Sequence, residues 1–115
     1  MLAFIRARDI WVVKLDGSDL TQLTTDGGTK TELQWTPDGQ SLVYISGLCV
    51  KMISLANGQI NDVVCFEYAG TTIEEFEISP DGSHAAISAN QELYIVPFDL
   101  AKLKDVDRPS KIKAL

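Results

Sequence analysis

Apolar residues in this chain fall in short runs that do not alternate with polar ones. "IWVV" (10–13), "LVYI" (42–45) and "LYIV" (93–96) are rich in β-branched and aromatic side chains, which favour strands. A strand that is apolar on both faces needs cover on both sides. The segments between these runs carry turn residues: "TPDG" (36–39), "SPDG" (79–82), "LDGS" (15–18) and "ANGQ" (56–59). Only "DLAKLKDV" (99–106) has any helical spacing, and it predicts a loop or one short helical turn. The pattern is all-β.

The chain repeats itself. Pro80 follows Pro37 by 43 positions, and each Pro-Asp-Gly turn precedes an apolar run, "SLVYIS" or "HAAISA", and then a second run, "LCVKMISLA" or "ELYIVPFDL". Near the start, "LAFIRA" and "DIWVVKLDG" repeat the same order without the turn. Aligning "DIWVVKLD" with "ELYIVPFD" gives an offset of 83, close to two periods. In the turns, proline presets φ, aspartate suits the next position and glycine accepts positive φ, so Pro37, Asp38, Gly39, Pro80, Asp81 and Gly82 are read as structural. Repeats of this length with no helices predict small four-stranded antiparallel sheets stacked face to face, the blades of a β-propeller. About three blades are expected, over 2–30, 31–70 and 71–100, the first incomplete, with 101–115 as a tail or closing strand. "RPSKIKAL" (108–115) is a candidate to complete the first blade. A closed ring needs about four to eight blades, so this is a partial propeller or one completed by association.

"WTPDGQSLVYIS", "ISPDGSHAAIS" and "DIWVVKLDGSDLTQLT" resemble the PD40 or TolB-like repeat of WD40-like β-propellers, over roughly residues 2–100. The middle unit departs from that pattern with "TPDG" for "SPDG", and no Leu-Thr follows the third unit. The resemblance implies a propeller whose loops or channel mouth bind a protein or peptide. Similar repeats also gate prolyl-oligopeptidase-type peptidases and follow bacterial kinase domains. Resemblance to TolB itself would imply a partner complex in the periplasm.

Composition narrows the partners. Hydrophobic residues make up 45% of the 115 positions and charged residues 23%, as in a globular chain. Net charge is −6, with 16 acidic against 10 basic side chains, which disfavours nucleic acid and anionic membranes. No apolar run approaches a membrane span, so no membrane insertion is expected. "MLAFIRARDIWVV" lacks the order of a signal peptide. A two-residue turn at Asn57-Gly58 would set Ala56 against Gln59, Cys49 against Phe66 and Cys65 against Val50. The thiols would then point to opposite faces, which predicts free, buried cysteines and leans towards a reducing compartment. The compartment, bacterial cytoplasm or periplasm, stays open.

Candidate chemistry is sparse. His84 is the single histidine, and its place just after the second turn predicts an exposed turn-edge residue. There is no Gly-x-Ser-x-Gly, His-Glu-x-x-His or Cys-x-x-Cys. "DGGTK" (26–30) lacks the spacing of a phosphate loop and is read as a connection between blades. Glu75 and Glu77 share one face of a strand and Glu74 takes the other, so they form no three-carboxylate cage and fit a channel-facing or edge strand. Trp11, Trp35, Tyr44 and Tyr94 occupy equivalent or near-equivalent strand positions, as packing between blades requires. No catalytic residue, cofactor or metal ligand is expected. The reading is a non-catalytic interaction module, partner unknown, acting as a homo-oligomer or as part of a longer chain. The alternatives are a substrate-gating or sensor segment of a larger enzyme, and a self-assembling structural propeller.

Overall fold

A computed structural model describes residues 1–66, 70–98 and the backbone of 113–114. The described strands form three antiparallel sheets and no helix. The first holds β1 (Leu2–Arg6), β2 (Asp9–Val13) and β3 (Thr21–Gln22). The second holds β4 (Thr31–Trp35), β5 (Ser41–Ser46), β6 (Cys49–Ser54) and β7 (Ile60–Cys65), neighbours in chain order. The third holds β8 (Ile73–Ile78), β9 (His84–Ala89), β10 (Glu92–Pro97) and β11 (Lys113–Ala114). By the repeat, β1 matches β5 and β9, so the first sheet has no counterpart of β4 and β8 among the described residues. The described part of the tail does not supply one. Lys113 and Ala114 pair with Ile95 and Tyr94, completing the outer edge of the third sheet instead. Residues 99–106, read as a loop or short helical turn, lie outside the described residues.

Both Pro-Asp-Gly turns close as the residue types require. Gly39 N–H donates to Thr36 O at 2.8 Å and Gly82 N–H to Ser79 O at 2.9 Å, with φ of +70° and +74° at the glycines. The hydroxyl of Thr36 or Ser79 and the backbone N–H two residues past the aspartate both donate to Asp38 or Asp81 Oδ1, at 2.6–3.0 Å. Each aspartate thus satisfies donors that the reversal would leave without partners. The turns of neighbouring sheets stack, since a Cβ on Gly82 would lie 3.5 Å from Pro37 Cγ.

Face-to-face stacking accounts for the two-sided hydrophobicity. Leu42, Tyr44 and Ile53 turn towards Ile10 and Val12 of the first sheet, while Val43, Ile45, Val50 and Met52 turn towards Phe76, Ala85, Ile87 and Val96 of the third. Trp35 packs in the first of these cores and Tyr94 against the second, where its ring meets Phe66 edge-on at 6.0 Å. The same repeat positions are uncovered at the ends of the stack. Leu93 and Ile95 stand where Val50 and Met52 stand one sheet earlier, yet they are 50% and 37% exposed. Leu2, the counterpart of buried Leu42, is 56% exposed.

The expectation of free thiols is overturned: Cys49 and Cys65 form a disulfide, with Cα atoms 4.1 Å apart. Two local features change the register. The turn between β6 and β7 spans four residues, with Ile53 opposite Ile60 and Ser54 N–H donating to Gln59 O, so Asn57-Gly58 is not a two-residue hairpin loop. A bulge then adds Val63 to β7, since Val50 pairs with Val64 but Lys51 with Asp62. Together they move the pairing one step from the expected one and set Cys65 opposite Cys49. The argument for a reducing compartment falls with the free thiols.

Candidate functional site

The connection "DGGTK" is a buried polar joint between the first two sheets. The Lys30 side chain is 0% exposed, and its ammonium donates to Arg8 O at 2.9 Å, Gly28 O at 2.8 Å and the Asp26 carboxylate, with Asp9 Oδ1 at 3.6 Å. Asp9 also accepts from Thr24 Oγ1 at 2.8 Å and Gly27 N–H at 3.1 Å, and Thr24 Oγ1 in turn accepts from Ile10 N–H. Burial works against the Asp9 carboxylate, but the Thr24 hydroxyl, the Gly27 N–H and the Lys30 charge together hold its pKa below the usual value. Asp26 is held low chiefly by its bond to Lys30. The joint is internally satisfied and does structural work, as its reading as an inter-blade connection implies.

On the second sheet, the face turned to the first carries two cross-strand rows. Tyr44, Lys51 and Asp62 are successive partners across β5, β6 and β7, and Ser46, Cys49 and Cys65 form the adjoining row. Strand alternation would send Asp62 and Cys65 to opposite faces. The Val63 bulge puts both on one face, so that both Sγ atoms and a carboxylate oxygen of Asp62 lie within 4.8 Å of one another. Lys51 Nζ donates to Asp62 Oδ1 at 2.7 Å. Tyr44 is 1% exposed, and its hydroxyl has no partner among the described residues. Burial, with the charges of Asp26 and Asp62, pushes the Tyr44 phenol up to about 12.

A depression of about 410 Å³ lies at the ends of the second and third sheets remote from the Pro-Asp-Gly turns. Thr29 and Thr31 line it from one sheet and Thr71 and Thr72 from the next, over an aliphatic floor of Ile45, Leu48 and Ile73. Gln34 holds the two inner strands beside it: its Nε2 donates to Phe76 O at 2.6 Å, and its Oε1 accepts from Ile78 N–H at 3.4 Å. A bulge at Glu74 lets that carboxylate reach Ser88 Oγ and Gln91 N–H, both at 2.9 Å, although Ser88 is the partner of Glu75. The glutamates therefore do not simply alternate. Glu74 secures a hairpin, and exposed Glu75 and Glu77 share the outward face.

His84 is exposed at the start of β9. Its Nδ1 is 2.8 Å from Ser83 Oγ, which is 2.7 Å from Asp81 Oδ1. That order places the hydroxyl between carboxylate and imidazole, whereas a nucleophilic triad needs the imidazole in the middle. The Ser79 hydroxyl first, then the Ser83 N–H and hydroxyl, lower the Asp81 pKa to about 2, which marks a turn cap. Pro37, Asp38, Gly39, Pro80, Asp81 and Gly82 all lie in the two turns. What sequence reasoning missed is the cysteine–aspartate cluster. Its only signal was the presence of both cysteines near an aspartate, because the bulge that joins them leaves no mark in residue types.

No protein-family model matches the chain, and no curated protein matches it. Solved structures do. A TolB candidate from Agrobacterium tumefaciens superposes at a TM-score of 0.67 and 19% identity, over 92% of this chain and 37% of that one. TolB from Acinetobacter baumannii gives 0.63 at 19% identity, over 92% and 26%. Oligogalacturonate lyase in complex with manganese gives 0.62 at 19%, over 76% and 26%. At such identity the likeness shows the fold alone, which is a TolB-like β-propeller. The chain spans between 26% and 37% of the length of these three structures.

Proposed function

We propose that this chain is a PD40-type propeller segment serving as a non-catalytic interaction module for a protein or peptide. The observation that carries this reading is the threonine-lined depression between the second and third sheets. Its hydroxyls and aliphatic floor offer hydrogen bonds and apolar contact to an extended peptide, and none of its lining groups is a nucleophile–base pair or a metal ligand. With a net charge of −6, a neutral or basic peptide is favoured over an acidic one. Selection of binders from a displayed peptide library tests it. Enriched peptides should lose binding on Leu48→Asp or Thr72→Glu, and peptides indifferent to both changes would refute this site.

The uncovered end faces favour a second statement. Leu2 on the first sheet and Leu93 and Ile95 on the third stand at positions that bury neighbouring blades inside the chain, so further blades cover them, from a longer chain or from a second copy. The greater length of the solved neighbours supports the longer chain, which leaves room for the reading as a gating or sensor segment of an enzyme. Light scattering over a range of concentrations separates these. A discrete dimer or trimer supports association of copies, and a monomer supports the longer chain.

A further inference from the structure

The cross-strand pair Cys49–Cys65 and the Asp62 brought beside it by the Val63 bulge form, we propose, a redox-gated site for a thiophilic divalent cation such as Zn²⁺. Two observations carry this. An Asp62 carboxylate oxygen lies within 4.8 Å of both bonded sulfurs, so once the bond is reduced and the sulfurs separate, three ligand atoms are within reach of one tetrahedral ion. All three residues sit on strands rather than loops, where register holds them together without the metal. Sequence spacing of the familiar zinc motifs is absent because the ligands come from opposing strands.

The disulfide and the ion exclude each other. A dithiol reductant passes two electrons and two protons to the Cys49–Cys65 bond and itself becomes a disulfide, leaving two thiols. Zn²⁺ then binds both sulfurs and releases their two protons to solvent. The Asp62 carboxylate is the third ligand, and water takes the fourth position, as in open zinc sites. The Lys51 ammonium, on the same face, stays paired with Asp62 Oδ1 and offsets part of the negative charge the three ligands bring together. In the reverse step a small-molecule disulfide takes two electrons from the thiolates and two protons from solvent, becomes a dithiol, and leaves the Cys49–Cys65 bond re-formed and the ion released.

The test uses Co²⁺ and Zn²⁺ alone as probes on the intact chain, with and without a dithiol. Reduced protein should bind one Co²⁺ per chain with a thiolate-to-metal charge-transfer band and intense tetrahedral absorption, and Zn²⁺ should displace it. Oxidised protein should show neither. Cys65→Ser should remove the charge-transfer band, and Asp62→Asn, which leaves both sulfurs in place, should weaken Zn²⁺ about tenfold or more. Circular dichroism of each form, with and without Zn²⁺, reports folding. Equal binding by oxidised protein, an Asp62→Asn affinity equal to wild type, or a reduced chain that stays unfolded with Zn²⁺ present would each overturn the proposal.

Discussion

The Gln34 carboxamide reaches across to the next sheet and bonds the backbone of Phe76, donating from Nε2 to its carbonyl at 2.6 Å. With the bond from Ile78 N–H to Oε1, one side chain stands in for a missing strand between β4 and β8. Gln34→Leu removes both bonds and leaves the partly buried backbone groups without partners, so a loss of about 1–3 kcal/mol is expected. Gln34→Glu keeps the acceptor but not the donor, and it should fall between. Urea midpoints at constant m-value check this, and an unchanged Gln34→Leu midpoint would mean the bridge is not made.

Lys30 offers a sharper case. Its buried ammonium holds Arg8 O, Gly28 O and the two aspartates at the joint between the first two sheets. Lys30→Met keeps much of the stem but strips the charge from beside Asp9, at a cost of about 3 kcal/mol. Asp9→Asn together with Lys30→Met should recover part of that loss, since the carboxylate then left without Lys30 is Asp26, whose side chain is 59% exposed to solvent. A double mutant no better than the single would argue against the coupling.

Asp81 sets an acid limit. Its folded pKa of about 2 lies below the ordinary 3.8, so its contribution is fully present above about pH 4 and is lost as pH falls towards 2. Stability followed by denaturant titration should therefore decline across that window. Asp81→Asn should flatten the decline. Asp9, Asp16 and Asp26 are lowered as well, so the flattening is partial.

Backbone conformation gives predictions of opposite sign. Ala7 and Arg8 turn β1 into β2 with φ of +51° and +67°, a region that suits glycine or asparagine. Ala7→Gly should raise stability by up to about 1 kcal/mol, because relief of that strain outweighs the added freedom of the unfolded chain. Gly39→Val, at φ +70° with open space around its Cβ position, should lower it by about 1 kcal/mol or more through strain alone. Thermal midpoints moving the other way at either position would contradict these turns.

The disulfide closes a separation of 16 residues, and loop-closure entropy in the unfolded chain sets its worth at about 3 kcal/mol. Cys49→Ser with Cys65→Ser should lower the midpoint accordingly. The same loss should appear on reducing the wild-type chain without metal, and agreement between the two measurements shows that the cross-link, not the side chains, carries it.

Features written in contiguous residues were legible. The Pro-Asp-Gly turns, the repeat and the two-sided apolar runs depend on local φ preferences and on the need for cover at both faces, so they pointed to stacked all-β sheets. The turns at Ala7-Arg8 and Asn90-Gln91 were visible only as short connections, because neither carries the glycine that marks such a reversal. The exposed place of His84 followed from its position beside a turn.

The cysteine–aspartate cluster was not legible to the same degree. Its existence turns on one extra residue in β7 and on a four-residue turn, and a shift of one position exchanges the faces of every side chain beyond it. Residue types hardly change the cost of such a bulge, whereas packing of Val63 and Val64 into the same core decides it. The same holds for Lys30 and Gln34, whose partners come from another strand or another sheet. The amino-acid order determined the blades and their turns through local conformational preference. Only the tertiary structure decided the register that pairs Cys49 with Cys65 and the polar contacts that join one blade to the next, because those energies exist only once distant segments meet.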